Sequence, residues 1–373
     1  FPIFNVYDIL LFFFNKTKKL DYLKPVELIL KQLCSQGIYD HVEGGISRYT
    51  VDENWLIPHF EKMLYDNAQF VLLLSKYLKV KKNEYFERKI IQTIDFINKN
   101  FTNSKNNLLG SAFDADSDGE EGKYYIFSYE ELKKIKDINQ YFDVKPGGNW
   151  ENKIILKELK TPPETIILKL KKLRERKIKP FFDTKIQLDL NCLWVSALVS
   201  ADRTMPNNNF LKIAETYYKN LEIFFFKNKK LQHTTLKPEV FLEDYAYSIA
   251  MLLDLYDQTL KPNYLFKAKE LCKKTIELFY IKEKSIFQKN IVATNDLFHR
   301  PIDISDGNIP NGNSIMLLNF SRLKMKNEAT ALSNSLKAYL NVYKLSMASA
   351  VKSIDYFNMI DANKNCTEEG CLI

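Results

Sequence analysis

The chain has 373 residues, of which 46% are apolar and 27% charged, with only 11 Gly and 12 Pro. That leaves room for two or three domains, excludes a disordered, collagen-like or low-complexity protein, and argues against an all-β sandwich, which needs a turn every ten residues or so. The 54 basic and 46 acidic residues give a formal charge of +8, yet only seven of the basic residues are Arg. Arg is the residue whose planar fork reads phosphates and guanine edges, so the excess reads as a Lys-rich solvated surface and no nucleic-acid partner is expected.

Helical periodicity dominates the chain. It predicts helices over 4–16, 25–36, 59–79, 84–101, 164–176, 187–203, 208–226, 241–260, 264–282, 311–325, 327–343 and 346–361. Most come in pairs joined by short polar turns, such as Lys81-Lys82-Asn83 and Lys261-Pro262-Asn263, which is the pattern of αα-hairpins. Two segments break it. Residues 38–58 form a long loop behind Gly37, with Gly44 and Gly45 inside it. Residues 105–160 form a small β-containing insertion, with strands expected at 123–127 and 153–157 and a short helix opened by Ser128-x-x-Glu131, which has capping-box spacing. The expected organisation is one helical domain over 1–361 and a tail over 362–373.

The apolar run Ile9 to Phe14 is too short to span a bilayer and is followed by Lys16, Lys18 and Lys19. No membrane partner and no signal peptide are expected. The five Cys are Cys34, Cys192, Cys272, Cys366 and Cys371, an odd number without a C-x-x-C. They point to a reducing, cytoplasmic setting with buried thiols, and four Cys/His at zinc spacing are absent. Cys366 and Cys371 are open to pairing or metal binding. The chain begins without Met and already in apolar sequence, so it reads as a piece of something longer.

Four motifs carry candidate chemistry, each with a structural alternative. In Pro58-His59-Phe60-Glu61-Lys62-Met63-Leu64-Tyr65-Asp66-Asn67, Pro58 fits a first helical turn, and His59 with Glu61 or Asp66 offers a general acid and base. The alternative is an ordinary polar first turn. Asp114-Ala115-Asp116-Ser117-Asp118-Gly119 copies half of an EF-hand loop, but position 12 is Tyr125. It is therefore a non-EF cation site at Asp114, Asp116 and Asp118, a catalytic carboxylate pair, or a solvated acidic turn; no other cofactor is expected. Glu243 and Asp244 open an apolar helix that continues with Tyr245, and Asn313 opens another. Asp183 and Lys185 precede the helix of Asn191. Helix capping explains each alone. In a ring of αα-hairpins, however, the helix starts near 59, 187, 243 and 311 open at one end, where the long loops also lie, making a concave site with convergent polar groups.

The same residues resemble a known family. Gly37-Ile38-Tyr39-Asp40, Gly44-Gly45, Arg48-Tyr49 and Val51-Asp52 run into the 58–67 motif, followed by Asp114-Ala115-Asp116-Ser117, Glu120-Glu121-Gly122-Lys123, Asp183-x-Lys185, Asn191, Phe241 to Tyr247 and Gly312-Asn313-Ser314. In this order, over about 37–325, they resemble the spermatogenesis-associated protein 20 family, whose bacterial members are thioredoxin domain-containing proteins. The resemblance implies an all-α (α/α)6 barrel of the six-hairpin glycosidase type, similar to N-acylglucosamine 2-epimerases, with a thioredoxin-like domain upstream that is absent from this chain. The chain departs from the family at His41, Glu43, Ile46 and Leu190.

The expectation is thus a carbohydrate-active protein, glycosidase-like or sugar epimerase-like, with a small-molecule sugar as partner. The acid/base candidates are His59, Glu61, Asp114, Asp116, Glu243 and Asp244. Arg48, Tyr49, Asp66, Asp183, Lys185, Asn191, Tyr245 and Asn313 are the substrate-binding candidates. A non-catalytic scaffold serving a thioredoxin-like partner is the other expectation.

Overall fold

A computed structural model describes residues 1–226, 231–236, 239–291 and 301–362; Cys366 and Cys371 lie outside them. Its helices are, in chain order, α1 Phe4–Thr17, α2 Leu20–Ser35, α3 Leu64–Val80, α4 Glu84–Asn100, α5 Tyr129–Leu132, α6 Glu164–Arg174 and α7 Leu188–Thr204. There follow α8 Phe210–Phe225, α9 Leu242–Thr259, α10 Pro262–Phe279, α11 Gly312–Arg322, α12 Lys326–Lys337, α13 Leu340–Tyr343 and α14 Ala348–Ala362. Each named strand is two residues long. Two compact units result: Phe1–Pro2 with Lys19–Lys185, and Ile3–Lys18 with Ile186–Ile373. No helix among the described residues is long and apolar enough to cross a membrane.

In the second unit the hairpins α7–α8, α9–α10 and α11–α12 stack through α7, α9 and α11, and α14 packs on α11 and α1. Sequence sets this division. In α7, fifteen of 17 residues are buried, including Trp194, Val195 and Leu198, because its middle, Cys192 to Ala201, is apolar or small on every face. In α8 the buried residues Phe210, Ala214, Tyr217, Tyr218, Leu221 and Phe225 form one stripe, so only one face packs. Each large apolar side chain taken fully out of water contributes about 1.5–3 kcal/mol.

In the first unit α3 and α4 form the hairpin, and the 105–160 insertion shares a core with α6, made from Phe127, Leu132, Phe142, Ile154 and Leu170. The capping box at Ser128 and Glu131 is present. The expected strands at 123–127 and 153–157 are reduced to isolated bridges, among them Phe127 with Ile154. A larger correction concerns 59–63, expected as helix. Pro58–His59 pairs with Tyr49–Thr50, Lys62–Met63 pairs with Ala112–Phe113, and α3 starts only at Leu64. The backbone groups of this segment are taken by neighbouring strands: Arg48 N–H donates to the Glu61 carbonyl, and Leu64 N–H to the Ser111 carbonyl. No first helical turn can form there.

Ion pairs fill much of this unit's interior. Lys62 Nζ donates to Asp40 Oδ2 at 2.7 Å and to the Gly44 carbonyl at 3.0 Å. Arg174, the last residue of α6, reaches both Asp40 oxygens at 2.8 and 2.7 Å and Glu43 Oε2 at 3.3 Å. Asn67 bonds both the N–H and the carbonyl of Ile46. The 38–63 loop is thereby fixed from three sides.

Candidate functional site

Two polar clusters emerge, one in each unit. In the first, Tyr49 and His59 are opposite residues of the antiparallel pair, and their rings stack with centroids 4.9 Å apart and planes at 19°. Glu121 Oε1 lies 2.8 Å from His59 Nδ1, and Glu61 Oε2 lies 3.9 Å from Nε2. A carboxylate can only accept, so Nδ1 carries the proton toward Glu121, and Nε2 is the ring nitrogen left to meet a ligand. Arg48 Nη1 donates to Glu61 Oε2 at 3.0 Å.

Behind this pair, Arg48 Nε, Tyr65 Oη and Asp66 Oδ2 are buried without a hydrogen bond of good geometry among the described residues, while the Arg48 and Tyr65 side chains lie close enough to interact. Burial raises the Asp66 carboxyl well above the usual carboxylate range, with Arg48 opposing and Glu61 adding to the shift. Three unsatisfied polar atoms in one cluster carry a desolvation penalty of about 1–3 kcal/mol each unless a ligand answers them.

The acidic turn supplies Glu121 rather than Asp114 or Asp116. Asp116–Ser117 pairs with Glu120–Glu121, and Gly122 at φ +74° lies where a Cβ would overlap the Phe60 ring. Glycine therefore lets the turn fold over Phe60 and carry Glu121 to the imidazole. Asp114, Asp116 and Asp118 are exposed. Asp114 Oδ1 accepts the Asp116 N–H, and Lys123 holds Asp118 at 2.9 Å. Among the described residues, the His, Cys, Asp and Glu side chains that gather three ligand atoms within 4.8 Å are elsewhere, so the structure does not bring the oxygens of these three Asp together. Asp183 pairs with Ala112, and its Oδ1 accepts the Lys185 N–H at 3.0 Å; the Lys185 carbonyl accepts from the Ser111 hydroxyl. Asp183 and Lys185 shape a loop.

In the second unit, His233 Nδ1 lies 2.9 Å from Asp244 Oδ1 and 3.9 Å from Asp189 Oδ1, and its Nε2 lies 3.1 Å from Gln187 Nε2. Asp244 also accepts the Phe241 N–H at 2.8 Å. Burial, with Asp244 nearby, pushes the Asp189 carboxyl up to about 7. Burial opposes charge on His233, but the Asp244 hydrogen bond and the surrounding carboxylates leave its pKa raised. Glu243 Oε1 accepts the Gly312 N–H at 3.3 Å, while its Oε2 is buried without a partner among the described residues.

The structure therefore brings His59, Glu61, Arg48, Tyr49 and Asp66 together, and separately Glu243 and Asp244. The other candidates stand apart from these two groups and are engaged with backbone or core. Asn313 is fully buried and bonds Phe287 N–H, Phe287 carbonyl and Asp303 carbonyl. Asn191 donates to the Gln187 carbonyl, and Tyr245 is buried against Phe279. Sequence reasoning missed Tyr65, Glu121, Asp189 and His233. For His233 a signal existed: it is one of four His and stands shortly before an acidic helix start.

No family model matches the sequence. An uncharacterized protein of Caenorhabditis elegans is 28% identical over 376 residues, which is 83% of this chain and 50% of that protein. Spermatogenesis-associated protein 20 of Rattus norvegicus is 26% identical over 357 residues, 79% of this chain and 45% of that protein. The chain spans about half the length of the curated relatives it matches. Among solved structures, cellobiose 2-epimerase from Bacillus thermoamylovorans superposes with a TM-score of 0.61 at 12% identity, over 95% of this chain and 86% of that one. A D-mannose isomerase superposes with a TM-score of 0.51 at 13% identity, over 85% and 69%. With these matches, the chain is a homologue of spermatogenesis-associated protein 20 and has the (α/α)6-barrel fold.

Proposed function

We propose that the chain binds a sugar and moves a proton on the carbon next to its carbonyl, the chemistry of sugar epimerases and isomerases. The fold is shared with a cellobiose 2-epimerase and a D-mannose isomerase, which supports the substrate class without fixing it. The observation that carries the reading is the cluster around Arg48: three buried, unanswered polar atoms beside a stacked, carboxylate-oriented imidazole.

In this reading His59 Nε2 takes the proton, and Glu121 holds the ring by Nδ1 and stabilises the imidazolium that forms. The developing enediolate carries negative charge, which Arg48 is placed to meet. Tyr65 Oη and Asp66 Oδ2 bind hydroxyls, which can both donate and accept.

The test is incubation of the full chain with a panel of aldoses in D2O, followed by NMR of the C2 proton. Exchange at C2 that disappears in His59→Ala supports the reading. No exchange with any aldose, together with no sugar-dependent shift in melting temperature, overturns it.

A further inference from the structure

We propose that Asp189, His233 and Asp244 bind one divalent transition-metal ion of the zinc or manganese class, through two carboxylate oxygens and an imidazole nitrogen. This site is independent of the sugar cluster in the first unit. Its three ligand atoms lie within 4.8 Å of one another. They come from three separate segments: the first turn of α7, the loop before α9, and the first turn of α9. A metal about 2.1 Å from each ligand sets its ligands about 3–4 Å apart, and His233 Nδ1 stands 2.9 Å from Asp244 Oδ1 and 3.9 Å from Asp189 Oδ1.

The groups behind the ligands are already in place. Gln187 stands at the far nitrogen of the ring, where its amide oxygen, with the amide turned over, accepts the Nε2–H of a metal-bound imidazole; the Phe241 N–H holds the second Asp244 oxygen, and the Leu190 N–H bonds Asp189. Orienting contacts of this kind accompany metal-bound imidazoles and carboxylates. A metal on Nδ1 displaces the ring proton to solvent. One imidazole with two carboxylates suits zinc or manganese better than calcium or magnesium. The His233 side chain is 19% exposed, which leaves a route from solvent.

The experiment strips the full chain with chelator, titrates it with Co2+ and Zn2+, and reads visible absorption, calorimetry, melting temperature and metal retained after gel filtration. The expected result is about one ion per chain, a Zn2+-dependent rise in melting temperature that chelator reverses, and at least a tenfold loss of affinity in Asp189→Asn and His233→Gln. Glu121→Gln, in the first unit, keeps the metal. Should His233→Gln fail to fold by circular dichroism, Asp189→Asn, which preserves shape, decides alone. Substoichiometric binding by the wild-type chain overturns the proposal, as does equal affinity in the folded variants. So does a near-ultraviolet thiolate-to-cobalt band, which would put the ion on cysteines.

Discussion

Lys62 and Asp40 form an ion pair at 2.7 Å with side chains only 1% and 4% exposed. The ammonium also lies 4.2 Å from the Phe96 ring centroid and 4.8 Å from that of Tyr125, so its surroundings are aromatic rather than aqueous. Lys62→Met keeps the packing volume but leaves Asp40 with Arg174 as its remaining cation. We expect a loss of about 3 kcal/mol, the scale for breaking a buried pair from one side, read as a lower urea midpoint with an unchanged slope.

Acid sensitivity should originate at Glu158. Burial alone would raise its carboxyl, but the His41 hydrogen bond and the Lys89 charge hold it at about 2, against an ordinary 4.5. A folded pKa below the unfolded one stabilises the fold above pH 4.5, and that contribution is lost as pH falls from about 4.5 to about 2. His41, lowered by burial and by Lys89, acts in the same direction as pH drops below 6.5, since its proton is bound more readily in the unfolded chain. Glu158→Gln should lower stability at pH 7 by about 3 kcal/mol and flatten the acid limb. Urea titrations at pH 7, 4 and 3 check both.

Tyr65→Phe separates a functional role from a structural one. Its hydroxyl is buried without a hydrogen bond of good geometry among the described residues, so deleting it should stabilise the chain by about 1 kcal/mol while weakening sugar binding about tenfold or more. A higher melting temperature with slower C2 exchange is the expected pair of results. A lower melting temperature would mean the hydroxyl is already satisfied.

Gly122→Ala should act on the site through Phe60. Positive φ and overlap with the Phe60 ring make a loss of about 1–3 kcal/mol the expectation, along with withdrawal of Glu121 from His59. A C2 exchange rate that falls in Gly122→Ala to the level of Glu121→Gln would show the common cause.

Most helices were legible because burial follows the 3.6-residue period: the α8 stripe and the largely apolar middle of α7 can be read from residue type alone. The segment 58–63 was not, since its apolar spacing also fits a helix. What overrides that pattern is pairing with residues 49–50 and 112–113, contacts remote in sequence. The same reason hid Glu121. In the acidic turn every carboxylate looks alike, and only the strand register, with Asp116 opposite Glu121, selects which one meets His59. Asn313 shows a different ambiguity, because an amide at a helix start reads equally as a substrate contact or as a brace for backbone, and here it holds the backbone of Phe287 and Asp303.

Arg174 closes α6, and its partner Asp40 lies 134 positions earlier. At about 5–20 residues per second, a ribosome needs on the order of ten seconds to travel that distance. Throughout this interval the nascent 38–63 segment carries Asp40 and Glu43 without the guanidinium that later clamps them. The cluster at His59 is consequently a late product of translation, completed once α6 has emerged, and truncations ahead of residue 174 should release chains with a hairpin but no site.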